Sequence, residues 1–300
     1  MSDDTSKSRK KKAGVAKQNL VSKVLVATAK PKQKVIESLD VNKDGSVDIE
    51  DIIILSLRIP GVRINRSTFL QKEFQRGIPQ SRIDRAILTT PMQAGIAKSY
   101  IDQIADEVIQ YERNCVSGIA AALGAPGGFA VVATIPADIV QYYGYMLRAA
   151  QKLMYLYGFP DLGISDNSDS LDSETLNILI VSLGVMYGVA GANNALKKIA
   201  SMLATGVEKK LMNKALTKTT IFPVVRSIAS WFNVKMTKTM YAGLFKKSLP
   251  VIGGVIGGGM TYLSFKPCCN KLKKSLENSP LFNPQLVEDP EEFVVLNEEG

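Results

Sequence analysis

The 300-residue chain contains no histidine. Without an imidazole there is no Ser-His-Asp or Cys-His nucleophilic pair, no HExxH metalloprotease site and no zinc site with a histidine ligand. Cysteine is nearly as scarce: Cys115, Cys268 and Cys269 make no CxxC pair. An odd count argues against a disulfide framework and for a reducing compartment. The adjacent Cys268 and Cys269 read as inert thiols, with acylation beside a membrane as the alternative. The beginning of the chain lacks the apolar core and small-residue cleavage site of a secretory signal, so the expected location is cytoplasmic. Asp, Glu, Lys and Tyr remain for acid or base work but form no motif that a reaction class requires, and the chain is expected not to be an enzyme.

What is present is apolar and basic. Hydrophobic residues make up 46% of the sequence, enough for a substantial core, and the net charge is +9. The charge is uneven. Arg9, Lys10, Lys11 and Lys12, followed by Lys17, Lys23, Lys30, Lys32 and Lys34, form a basic arm, whereas only acids follow Lys274. Residues 1–16 are short of apolar side chains and read as a disordered arm. Such an arm is either simply solvated or drawn to an anionic surface. Lipid is favoured over nucleic acid, because the chain is otherwise apolar and has no nucleic-acid-binding motif.

The sharpest local pattern is at residues 40–51, DVNKDGSVDIED. Asp40, Asn42, Asp44 and Asp48 stand at positions 1, 3, 5 and 9 of an EF-hand calcium loop, with Gly45 at 6 and Val47 at 8. A hard cation needs six to eight oxygens, and Gly45 permits the turn that lets Ser46 offer its carbonyl. Position 12 departs from the pattern: Asp51 replaces the bidentate glutamate and is one methylene shorter. The expected metal ligands are therefore Asp40, Asn42, Asp44, Ser46, Asp48 and Asp51, with calcium as the cofactor. An Asp-rich turn without an ion is the alternative. Val35, Ile36 and Leu39 suit a helix entering the loop, and Ile52, Ile53, Leu55 and Leu57 one leaving it and stopping at Pro60. Two short helices follow before Thr90, the first capped by Asn65 or Ser67, the second starting at Pro79.

From Gly95 the periodicity lengthens. Ile101, Ile104, Ala105, Val108 and Ile109 trace an apolar helical face, leaving Asp102, Asp106, Glu107 and Glu112 on the solvated side. Residues 124–162 read GAPGGFAVVATIPADIVQYYGYMLRAAQKLMYLYGFPDL. Here Ile139, Tyr142, Tyr143, Met146, Leu147, Ala150, Leu153, Met154 and Tyr157 step by three and four, predicting a helix with Pro136 in its first turn and Gly158 with Pro160 as its stop. The acids Asp161, Asp166, Asp169 and Asp172 lack calcium-loop spacing and read as a solvated loop capping the next helix.

The glycine-rich opening of this stretch, its Ile135-Pro136-Ala137-Asp138 step and its Ala150-Gln151-Lys152-Leu153 to Tyr155-Leu156-Tyr157-Gly158 exit resemble the EcsC-like family of bacterial proteins. Pro250 followed by the glycine-rich run through Gly253, Gly254, Gly257 and Gly258 is similar to that family's second signature. The likeness extends back through residues 51–55 and 69–73, since some members carry an EF-hand-like leader. The resemblance implies a mostly helical fold and an association with membrane and transport systems. It implies no defined reaction.

Three stretches carry no charge, 114–137, 175–196 and 248–265. Each approaches the length that crosses a bilayer, but Gly, Pro or small polar residues interrupt them all, and buried helices of a large bundle look the same. The GxxxG spacing in the third serves either close packing in a bundle or dimerisation in lipid. Between the second and third, eleven basic residues, among them Lys197, Lys210, Lys214, Lys218 and Arg226, alternate with Met, Leu, Phe and the lone Trp231. That pattern suits an amphipathic region on an anionic membrane or an ordinary solvated face. After Lys274 prolines and acids dominate, with Phe293, Val294, Val295 and Leu296 available for docking onto a protein partner.

The expected fold is mainly α: a multi-helix bundle with a small N-terminal EF-hand-like unit. The expected segments are a basic arm (1–16), an EF-hand-like leader (17–90), an EcsC-like helical domain (91–276) and an acidic flexible tail (277–300). The expected function is that of a non-enzymatic, membrane-associated protein with a calcium loop, whose basic surfaces meet anionic lipid or a membrane protein. A soluble scaffold or regulator is the alternative. An enzyme would need a polar cluster around Asp138, Gln141, Tyr142 and Arg148, or around Glu112.

Overall fold

In the computed structural model, described for residues 40–123, 131–164, 171–207, 209–245 and 253–286, ten helices and no strand occur among the described residues. This is the mainly α architecture that the periodicity predicts. The chain divides into two compact units, residues 1–47 and 48–300, and all ten helices belong to the second. Residues 17–39, which include the expected helix before the acidic loop, lie outside the described residues.

The first three helices are short and capped as their sequences dictate. α1, Ile49–Leu57, starts at the N-cap Asp48 and buries Ile49, Ile52, Ile53 and Leu57. α2, Arg66–Phe74, begins where the Asn65 side chain accepts the Thr68 N–H at 2.9 Å. α3, Gln80–Leu88, follows Pro79, whose missing N–H costs nothing at that position. All three pack into the same unit as the longer helices: α4, Lys98–Leu123; α5, Val131–Leu156; α6, Ser173–Tyr187; α7, Ala192–Ala204; α8, Lys209–Thr217; α9, Phe222–Phe245; and α10, Gly253–Glu277.

α5 and α6 form the centre. α5 touches α1, α2, α4, α6, α9 and α10, and α6 touches α1, α5, α7, α8, α9 and α10. Neighbours on every side explain why α5 buries more than the single apolar face its spacing predicts: Ala149, Gln151, Tyr155 and Leu156 are as inaccessible as Leu147, Ala150, Leu153 and Met154. The helix also begins earlier than expected, at Val131, so Pro136 lies beyond its first turn. Its stop is as predicted. Gly158 has φ +98°, the Phe159 N–H donates to the Met154 carbonyl at 2.9 Å and the Gly158 N–H to Tyr155. This double bond pattern closes the helix end in a left-handed cap.

The uncharged run over α6 is core, with every residue from Asn177 to Met186 buried. Asp172 caps it, accepting the Thr175 N–H at 2.7 Å. A Cβ at Gly184 would lie 2.9 Å from Ile228 and 3.1 Å from Ala192, so glycine is what lets α6 lie directly on α9 and α7. No described helix is long and apolar enough to cross a membrane. The third uncharged run enters α10, which lies along α4, but the surroundings of Gly253, Gly254, Gly257 and Gly258 fall outside the described side chains. Packing continues past Glu277: Ser279 and Phe282 are buried, and the Phe282 ring meets Tyr157 edge-on at 4.7 Å.

One buried cation ties the short helices to the centre. Arg66 is 5% exposed, and its guanidinium donates to four main-chain carbonyls: Ala86 at 3.1 Å, Ile87 at 2.6 Å, Thr89 at 2.8 Å and Phe159 at 2.9 Å. It thereby satisfies carbonyls left open at the end of α3 and just beyond α5.

Candidate functional site

The acidic loop divides between the two units, with Asp40, Asn42, Asp44 and Ser46 in the first and Asp48 and Asp51 in the second. In the first, the side chains fold back on the main chain. Asp40 accepts the N–H groups of Asp44 and Gly45 at 3.2 and 2.9 Å, and Asn42 accepts that of Asp44 at 3.0 Å. Asp44 takes both the N–H and the hydroxyl of Ser46, at 2.8 and 2.9 Å. Those bonds, led by the Ser46 N–H, hold the Asp44 carboxyl below the usual carboxylate range, so it stays ionised. The turn is made by left-handed backbone at Lys43, φ +60°, and at Gly45, φ +90°.

In the second unit the two acids cap α1. Asp48 accepts the N–H groups of Glu50 and Asp51 at 2.8 and 3.3 Å, and Asp51 reaches back to the Asp48 N–H at 3.0 Å. This reciprocal arrangement is a capping box with aspartate in the usual place of glutamate. Among the described residues no three His, Cys, Asp or Glu side chains group so as to hold a metal ion. The donor set itself, carboxylate and amide side-chain oxygens with the Ser46 main-chain carbonyl, is of the kind a hard cation takes, and each carboxylate oxygen offers more than one lone pair.

A second polar cluster joins α4 to α5. Glu112, expected on the solvated side of α4, is instead fully buried. The reason lies on the facing helix, where Arg148 and Lys152, one turn apart, both reach Glu112 Oε1, at 3.1 and 2.6 Å. Glu112 Oε2 and Arg148 Nε are buried without a hydrogen-bond partner. Lys152 Nζ also lies 5.8 Å from the centre of the Phe69 ring and 5.6 Å from that of Tyr111. Two cations on one carboxylate oxygen in a low-dielectric setting bind the helices together.

Of the other constellation an enzyme would need, two described members have partners elsewhere. Arg148 is committed to Glu112, while Tyr142 joins an aromatic cluster with Tyr143, Tyr187, Trp231 and Phe232. Burial pushes the Tyr143 phenol up to about 12 and raises those of Tyr142 and Tyr187, so all three stay neutral. The Asp138 side chain lies outside the described residues. Burial likewise pushes the thiols of Cys268 and Cys269 up, keeping them protonated.

A third network links three helices. Tyr157 donates to Asp102 at 2.8 Å, Lys98 pairs with the other oxygen of Asp102 at 2.8 Å, and Lys273 reaches Asp106 at 2.7 Å. Burial tends to raise the Asp102 pKa, but the bonds from Lys98 and Tyr157 outweigh it and hold the carboxyl below its usual value.

The remaining feature is a surface. Residues 192–245, covering α7 to α9, carry nine basic residues and one acid, Glu208. Lys197, Lys198, Lys210, Lys214, Lys218 and Arg226 are exposed, and none pairs with an acid among the described residues. α8 shows the pattern most clearly. Met212, Ala215 and Leu216 are buried, whereas Lys210, Lys214 and Lys218 recur every four residues along the outer stripe. Beside them Leu211 is 55% exposed.

Sequence reasoning did not anticipate Arg66, Lys152 or Tyr157 as cross-links. The available signal was a pair of cations one turn apart on an otherwise apolar helix, which calls for an acid opposite. Compared with family models, with curated proteins and with solved structures, the chain finds no match.

Proposed function

We propose that this chain is a non-enzymatic helical protein of the EcsC-like type that lies against an anionic membrane, or a protein within one, through the basic face of α7 to α9. The observation that carries this reading is the α8 stripe: three lysines free of acidic partners among the described residues, with a half-exposed leucine among them. Lysines near an anionic bilayer each contribute about 1 kcal/mol, and an adjacent apolar side chain adds insertion energy. A peripheral arrangement also agrees with the lack of a membrane-crossing helix among the described residues. The test compares variants for binding to vesicles containing phosphatidylglycerol. Lys210→Gln with Lys214→Gln is expected to weaken partitioning by roughly thirtyfold, about 2 kcal/mol. Leu211→Ser should weaken the salt-resistant part alone. Equal partitioning of wild type and both variants would remove α8 from the interface.

The loop at 40–51 is assigned a calcium ion, held by Asp40, Asn42, Asp44, Ser46, Asp48 and Asp51. Its support is the spacing of oxygen side chains around a left-handed Gly45. With Asp51 too short for easy bidentate ligation, the affinity should be weak, with Kd of about 10⁻⁵ to 10⁻⁴ M. Asp51→Glu preserves the capping box and should tighten calcium binding, by titration calorimetry, by roughly tenfold. Absence of calcium binding in both forms would leave the loop as a self-bonded turn.

A further inference from the structure

The basic face of α7 to α9 and the last residues of the chain are complementary. Residues 287–300, which follow the last described residue, contain six acids, Glu288, Asp289, Glu291, Glu292, Glu298 and Glu299, and no cation. Between the two acidic groups stand Phe293, Val294, Val295 and Leu296. The face has the converse makeup, with Lys210, Lys214 and Lys218 in line and Leu211 exposed beside them.

Of the cations closer to the end of α10, Lys271 and Lys274 are exposed and make no ion pair among the described residues, but no exposed large apolar side chain stands beside them as Leu211 does beside the α8 lysines. Lys98 and Lys273 are occupied, pairing with Asp102 and Asp106. The reach is sufficient. Leu281 lies against Gly158, Leu162 accepts a hydrogen bond from Thr175, and Asn177 donates to the Leu216 carbonyl of α8 at 3.1 Å. The ground from Leu281 to α8 is thus bridged by a short chain of direct contacts. Fourteen extended residues span up to about 50 Å.

We propose that the acidic C-terminal segment of this same chain docks on the α8 stripe, its acids on Lys210, Lys214 and Lys218 and its Phe293 to Leu296 side chains over Leu211, and so competes with anionic lipid. This rests on the membrane reading above for its consequence, but not for the contact itself. A tethered segment acts at a high local concentration, so even weak pairing screens the face until a dense anionic surface displaces it.

Two measurements on the full chain test it. Carbodiimide joins carboxylates to amines in direct contact; in the absence of membranes and at low salt, cross-links are expected between the 288–299 acids and Lys210, Lys214 or Lys218. They should disappear in high salt. Second, replacing the six acids by their amides is expected to tighten binding to phosphatidylglycerol vesicles by roughly tenfold. Absence of those cross-links, or cross-links only to other lysines, overturns the docking. Cross-links without any change in vesicle affinity would overturn the competition. If neither wild type nor the amide variant partitions while the cross-links form, the membrane reading fails and the contact stands.

Discussion

Replacing Arg66 with methionine is expected to destabilise the protein by roughly 4–6 kcal/mol, most of the stability of an ordinary domain. Methionine retains much of the aliphatic stem but donates nothing, so the carbonyls of Ala86, Ile87, Thr89 and Phe159 lose their common partner. Each buried acceptor left open costs about 1–3 kcal/mol, less where water can follow. Arg66→Lys separates charge from geometry. A lysine keeps the cation but replaces the planar fork with a point donor, which cannot serve four carbonyls on two sides, and should recover only a minor part of the loss. Urea denaturation followed by circular dichroism reads both variants. A loss below about 1.5 kcal/mol for Arg66→Met would mean that solvent replaces the guanidinium, and that the short helices do not depend on it.

The second large effect concerns Glu112. Removing both cations, Arg148→Met with Lys152→Met, strands a fully buried carboxylate and should cost about 3–5 kcal/mol. Either single change should cost much less, because the remaining cation still holds Oε1. Adding Glu112→Leu to the double variant removes the stranded charge and should restore most of the stability, since a well-packed apolar trio is often as stable as a buried ion cluster. The pattern of small, large and restored distinguishes an ion cluster from a simple packing defect, which a third substitution would deepen. Stability that falls further in the triple variant would contradict it.

Much of the helical framework was legible because capping and periodicity are local. Asn65, Pro79 and Asp172 start helices where their chemistry predicts, and Gly158 stops one by adopting a backbone that other residues resist. What escaped was set by tertiary neighbours. Glu112 sits among solvated acids by spacing alone, whereas in the fold it is buried between packed helices with Arg148 and Lys152 of α5 on its carboxylate. The breadth of burial on α5 follows from six helices surrounding it, a fact no single-helix pattern contains. Packing through Phe282 was hidden for the same reason: its neighbour, Tyr157, is distant in sequence. At the loop, Asp48 and Asp51 stand at the spacing of calcium-loop oxygen donors, and the same spacing makes a helix capping box.

The basic face was legible only as composition. Alternating Lys with Leu, Met and Phe left open whether the apolar members lay inward or outward. In α8 most lie inward and Leu211 does not. On the proposed membrane reading, that exception would add an apolar means of holding a bilayer to the electrostatic one. The attraction of the charges decays within about 8–10 Å at ordinary salt, so the face would act only on close approach.

The most direct measurement is co-sedimentation of the full-length protein with vesicles of graded phosphatidylglycerol content, at low and at high salt. Partitioning is expected to rise with the anionic fraction, to be negligible on purely zwitterionic vesicles and to fall with salt to a smaller residual. Absence of partitioning at every anionic fraction, in wild type and in the variant with its C-terminal acids neutralised, would contradict the membrane reading, as would equal binding to neutral and anionic vesicles.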